Sequence, residues 1–172
     1  NETNVFWDMV NYLIDQGLIK EEQDYLFRHR SEIKIMADRD QTTTKMFEQT
    51  KPVLYMRMTR IIPLYREHFK RQSSSSSNAM DKGSLIHYLQ HQKYYEGYCK
   101  GIKFETGESR MVTDGQTSKE KKIKASFTAY AFDYTMMESY GIELKRGSSD
   151  ANMDNAVDDD EAIKPDRNEA PF

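Results

Sequence analysis

Residues 95–104 and 123–132 form two runs of alternating polarity separated by a polar stretch, and no other feature narrows the fold of this chain so far. Alternation at period two marks a strand with one wet and one dry face, and two such runs in succession pair as a long hairpin. In the first run Tyr98, Lys100, Ile102 and Phe104 alternate with Cys99, Gly101 and Lys103. In the second Ala125, Phe127, Ala129 and Ala131 lie opposite Ser126, Thr128, Tyr130 and Phe132. Residues 105–122 between them read as a connecting loop, with Gly107, Asp114 and Gly115 as turn residues. That loop carries Lys119, Lys121 and Lys122, with Lys124 just beyond, so the hairpin is expected to bear a basic wing.

Residues 81–92, directly before the hairpin, read as a short helix. Ser84 is the expected N-cap, and Gly83 eases the chain into the first turn. Helical spacing puts Leu85, Tyr88, Leu89 and Gln92 on one face and His87, Gln90 and His91 on the other. A preceding helix is expected to start at Pro63, burying Leu64, Tyr65, His68 and Phe69 and exposing Arg66, Lys70 and Arg71. The serine run at 73–78 reads as a flexible surface loop between the two. Helix, helix, hairpin is the order of a winged helix.

Nearer the start, residues 5–16 form an amphipathic helix with Phe6, Met9, Val10 and Leu13 as its stripe and Gly17 as its left-handed terminator. Two short strands follow at 24–30 and 32–37. Residues 42–47 have threonine-rich β character, and 53–62 alternate as a half-buried strand. Residues 133–140 read as a last short helix closed by Gly141. The expectation is an α+β, winged-helix-like domain over 1–146. Its first part, 1–62, holds the N-terminal helix and a small antiparallel sheet, and 63–146 the helices and wing. Residues 147–172 follow as a disordered acidic tail.

Charge is distributed unevenly along this plan. Residues 51–104 carry ten basic and three acidic groups, a block charge of +7, whereas 147–172 carry two basic and eight acidic, a block charge of −6. Lysines and arginines at such density suit phosphate contact. The candidate nucleic-acid-binding set is therefore Arg66, Lys70, Arg71, Lys82, Ser84, His87, Gln90, His91, Lys93, Lys119, Lys121, Lys122 and Lys124. The tail then has two readings, a solubilising terminus or an electrostatic competitor for the basic block. Tyr94, Tyr95 and Tyr98 are candidates for stacking on unpaired bases, with at least half of that set expected in the core. Met56, Met58, Met136 and Met137 are expected to fill the core.

Several chemistries lack their signatures. No G-x-x-x-x-G-K-[ST], G-x-S-x-G or H-E-x-x-H occurs, so no phosphate loop, nucleophile elbow or zinc-protease helix can be assigned. His87 and His91, four apart, could share a metal with Cys99 or Asp81, but four ligands at recognisable spacing are missing, so no metal or other cofactor is expected. Cys99 is the single cysteine, which excludes an internal disulfide and suits a reducing, cytoplasmic compartment. No apolar run is long enough to cross a membrane.

Four pieces in order carry a resemblance: Asn1-Glu2 with Phe6-Trp7, Tyr12-Leu13 and Gly17-Leu18-Ile19; Arg60-Ile61 with Pro63-Leu64-Tyr65; Asp81 to Leu85 with His87-Tyr88-Leu89; and Ala131-Phe132-Asp133-Tyr134. They resemble the carboxy-terminal region of primase-helicase-type replication proteins of bacterial phages and mobile elements, in which the motor and primase parts precede this region. The resemblance implies an accessory, non-catalytic role, with DNA, single-stranded or duplex, and other replication proteins as partners. The alternative is a module that docks a motor onto replication or transfer factors.

Overall fold

The computed structural model describes residues 2–38, 41–72, 80–146 and the pair 162–163. The chain is α+β. Its elements are α1 (Glu2–Asp15), β1 (Tyr25–Met36), β2 (Thr42–Met56), α2 (Met58–Gln72), α3 (Lys82–Gln90), β3 (Tyr95–Asp114), β4 (Thr117–Asp133), α4 (Tyr134–Ser139) and the two-residue β5 (Ala162–Ile163).

Two antiparallel hairpins, β1–β2 and β3–β4, supply the sheet. They join twice: β2 pairs with β4 from Val53↔Asp133 to Met56↔Tyr130, and β1 meets β3 at Ile35↔Cys99. The ladder of four long strands therefore closes on itself. Alternation then sends side chains to two separate cores. Tyr25, Phe27, Leu54, Met56, Tyr130 and Phe132 face the helices, while Leu26, Val53, Tyr55, Phe104, Ala129 and Ala131 fill the space enclosed by the strands. All twelve are at most 3% exposed. Burying each large side chain contributes about 1.5–3 kcal/mol.

The helices cover one face of this sheet. In α1, Phe6, Val10 and Leu13 are buried as the stripe requires, and Trp7 joins them. The Trp7 Nε1–H donates to the Tyr94 hydroxyl at 3.0 Å, and its ring meets Phe6 and Phe132 edge to face. Gly17 takes a φ of +72° and Gly141 one of +79°, the left-handed conformation that stops α1 and α4. Asn11 holds the segment after α4 by donating to the Glu143 carbonyl and accepting from the Lys145 N–H, both at 2.7 Å.

Several expectations are corrected. The strands expected at 24–30 and 32–37 are one strand, β1, interrupted in phase. A register shift between Arg30 and Glu32 sets four β2 residues opposite Ser31, so Leu26 before it and Ile33 after it reach the same core despite opposite parity. A second shift between Cys99 and Ile102 does the same in β3: Cys99, not Tyr98, shares the enclosed core with Ile102 and Phe104. Residues 42–47 and the start of 53–62 belong to one strand, β2, which ends at Met56, and 58–62 are helical. Pro63 therefore lies inside α2 rather than in its first turn. Met58, Ile61, Ile62 and Tyr65 form the buried stripe of that helix. The expected loop at 105–122 is itself strand. β3 and β4 run on to Asp114↔Thr117 and turn through Gly115 and Gln116, with Gly115 at φ +63°.

Beyond Glu105↔Lys124 this hairpin leaves the body as a ribbon with most of its residues exposed. Its length is about 24 Å, from the seven steps of β4 between Lys124 and Thr117 at the usual rise per residue. Parallel to the root of the ribbon, β5 pairs Ala162 with Lys124 and Ile163 with Ala125. The serine run and the rest of the acidic tail lie outside the described residues.

Candidate nucleic-acid interface

Helix α3 is held at both ends by its own side chains. The cap is Asp81, not Ser84: its carboxylate accepts from the Ser84 N–H at 3.0 Å and from the Ser84 hydroxyl at 2.8 Å. Those two donors hold the Asp81 carboxyl below the usual carboxylate range. Ser84 is thereby committed to the helix start. At the other end the His91 Nδ1–H donates to the His87 carbonyl at 2.7 Å.

Only Leu85 and Leu89 of α3 are buried. Tyr88 was expected beside them, yet it is 45% exposed, because a nine-residue helix resting on two leucines has too narrow an underside to cover a third ring. Tyr88 therefore joins the outer side. His87 packs on His91 with ring centroids 4.1 Å apart and meets Tyr88 nearly at right angles at 6.2 Å. The tyrosines expected as stacking candidates go the other way. Tyr94 is 2% exposed, and Tyr95 and Tyr98 pack half-buried against the helix-side core. Burial pushes the Tyr95 hydroxyl well above its ordinary range.

The other candidates fall into separate groups. Arg66 and Lys82 line a cleft of about 350 Å³ floored by Met58, Ile62 and Pro63. Lys70 and Arg71 stand exposed in the last turn of α2, with Arg71 paired to Glu67 at 3.3 Å. Lys93 is exposed in the turn after α3. Gln90 donates to the buried Tyr130 hydroxyl at 3.1 Å, so it fastens α3 to β4 rather than reaching outward.

Strand parity divides the lysines of the ribbon. Lys122 and Lys124 lie on the same face of β4 as Tyr130, together with Lys103, which pairs with Ser126 of that face. Lys119 and Lys121 lie on the reverse face with Arg110, the cross-strand partner of Lys121. The eight steps along β4 from Tyr130, which Gln90 of α3 contacts, to Lys122 span about 26 Å. Lys122 also borders a cleft of about 840 Å³ whose walls include Glu21, Glu22, Glu105 and Arg146. Positive charge there is countered: Arg28 grips Glu22 through bonds of 2.6 and 3.0 Å, and Arg146 grips Glu21 through two of 3.1 Å.

Sequence reasoning missed a cluster of charge, its carboxylates buried and its lysines partly exposed, at the junction of the two hairpins. Lys51 lies 2.8 Å from Asp133 and 3.3 Å from Glu96, with Lys45 3.5 Å from Glu96. These residues are far apart in sequence and come together only through ring closure. The metal alternative gains no third ligand. Asp81 is the helix cap, and Cys99 is buried in the enclosed core, where burial pushes its thiol up to about 12. Among the described residues no group of three or more His, Cys, Asp or Glu side chains is placed to hold a metal ion, and no helix is long and apolar enough to cross a membrane.

No family model matches this chain, and no curated protein or solved structure is significantly similar to it. The apolar residues of the motif pieces behind the primase-helicase resemblance are largely core: Phe6, Trp7, Leu13, Ile19, Ile61, Tyr65, Leu85, Leu89, Ala131 and Phe132 are all at most 2% exposed. His87 and Tyr88, in the third piece, are on the surface.

Proposed function

We propose that this chain is a non-catalytic nucleic-acid-binding accessory module of a mobile-element or phage replication protein. It uses α3 and the β3–β4 ribbon in the manner of a winged helix, with α3 as the contact helix and the ribbon as the wing. The observation that carries this is the surface of α3. From Lys82 to Tyr95 the chain has no carboxylate, the one at Asp81 is turned into the helix cap, and Lys82 and Lys93 bracket the exposed rings. Below it, Lys103, Lys122 and Lys124 continue along the matching face of the hairpin. Cations spaced along one face suit a phosphate backbone and fix its path, while carrying no sequence information.

Replacing Lys82 and Lys93, and separately Lys122 and Lys124, with glutamine tests this in the full chain. Each pair is expected to weaken DNA binding and to flatten its salt dependence. Replacing Lys119 and Lys121, on the reverse face, is expected to weaken it less. Equal losses from all three pairs would show that only net charge matters.

A protein-docking role is supported by a different observation. Met46 and Met111 are 68% and 65% exposed, one on each hairpin, and exposed methionines suit adaptable apolar contact. Under that alternative, Met46→Ser and Met111→Ser abolish capture of a replication partner while DNA binding stays absent throughout.

A further inference from the structure

We infer that the nucleic acid taken by α3 is single-stranded, held by stacking of an unpaired base on the Tyr88, His87 and His91 rings. This inference rests on the proposed nucleic-acid-binding role and narrows it. Side chains that read a duplex from a groove need hydrogen-bonding groups aimed outward along a helix. On α3 those groups are largely spent: Gln90 is bonded to Tyr130, Ser84 to Asp81, and the Nδ1 of His91 to the His87 carbonyl. What the helix offers instead is ring surface. Two imidazoles lie 4.1 Å apart, tilted at 39° to each other, and the Tyr88 ring stands beside them at 77° to His87. Among the described residues Tyr88 is one of six large hydrophobic side chains that are markedly exposed.

An exposed ring in a stretch, Lys82 to Tyr95, whose sequence holds two lysines and no carboxylate suits a base and its phosphate, since every base has a π face and stacking tolerates any sequence. Helix-dipole and backbone contributions do not enter. The Tyr88 carbonyl is occupied by the His91 N–H and the Gln92 amide, which fixes the local backbone and leaves the ring as the part on offer.

The test uses the full chain and three probes in fluorescence anisotropy at one low salt concentration: an oligo-dT strand, an abasic strand of equal length and charge, and a duplex. Oligo-dT is expected to bind about 5- to 150-fold more tightly than the abasic strand, the gain expected from stacking one base. Tyr88→Leu should remove most of that gain and Tyr88→Phe should keep it. Both variants should retain the wild-type unfolding midpoint, since the ring is on the surface. His87→Ala, which removes the neighbouring ring, gives an independent check on the same gain. Equal affinity for oligo-dT and the abasic strand would overturn the stacking inference while leaving phosphate binding intact. Tighter binding to the duplex would overturn it as well. Failure to bind any probe would overturn both this inference and the proposed function.

Discussion

Tyr94→Phe removes the acceptor of a hydrogen bond inside the helix-side core. The Trp7 Nε1–H donates to the Tyr94 hydroxyl at 3.0 Å, and both residues are 2% exposed. Phenylalanine keeps the ring and its edge contacts with Trp7 and Phe132, so little cavity opens. It removes the acceptor, however, and leaves an indole N–H in an apolar interior. An orphaned buried donor costs about 1–3 kcal/mol. At roughly 3 °C per kcal/mol for a domain of this size, the midpoint should fall by about 6 °C. Trp7 is the single tryptophan, so its fluorescence reports the surroundings of the broken bond as well as global unfolding. Urea titration should show a lower midpoint with an unchanged slope, because the area exposed on unfolding is nearly the same. A double-mutant cycle then separates this bond from other effects: in a Trp7→Phe background, Tyr94→Phe should cost less than it does in the wild type. The same cost in both backgrounds, or a cost below about 0.5 kcal/mol in the wild type, would refute the assignment.

The remaining predictions concern ring closure and titration. A Cβ on Gly97, whose φ is +150°, would lie 2.5 Å from Ile35 Cγ2, at the contact that joins β1 to β3. Gly97→Ala should therefore cost about 3 kcal/mol in urea unfolding. Ile35→Ala, in the double variant, should cost less than it does alone, and a neutral Gly97→Ala would mean that the strands do not meet there. Burial, helped by Glu22, raises the Glu105 carboxyl above its ordinary 4.5. A raised acid holds its proton more tightly in the folded state, so its charge opposes folding above that range and the penalty disappears below it. Glu105→Gln should accordingly raise the thermal midpoint at neutral pH and leave it unchanged near about pH 4; a destabilised variant at neutral pH would show that the Lys124 pairing outweighs burial. Burial also raises the Tyr25, Tyr95 and Tyr134 hydroxyls above 10.0 and pushes Tyr130 up to about 12. Stability should then fall as pH rises past 10.0, where the unfolded chain loses these protons first. In the tyrosinate absorbance these four should appear only with unfolding, and their ionisation in the intact fold would contradict the burial.

The parts of the fold legible in the sequence are those fixed by local periodicity. The stripe of α1, its stop at Gly17, the α4 helix before Gly141 and the Ala125 to Ala131 alternation follow from side-chain spacing alone. What escaped depends on long-range pairing. The shifts at Arg30/Glu32 and Cys99/Ile102 reverse the inward parity in mid-strand, so a continuous strand looks like two or points the wrong residues inward. The α2 helix shows its Met58, Ile61, Ile62 and Tyr65 spacing in the sequence, but Pro63 marked its start too late. Ring closure leaves no local trace, and with it went the Lys51, Glu96 and Asp133 cluster. At the candidate interface, the outward side of α3 was legible for His87 and His91. Tyr88 and Tyr94 exchanged roles because exposure depends on how much core a short helix can reach.

The most direct test of the central claim is the affinity of the full chain for a single DNA strand across a salt series. Contact of about four phosphates by Lys82, Lys93, Lys122 and Lys124 predicts a log–log slope near −3, from about −0.7 per phosphate neutralised. The slope should fall by roughly half when either lysine pair is replaced with glutamine. Absence of binding at low salt, or a slope unchanged by both replacements, would contradict nucleic-acid contact through this face.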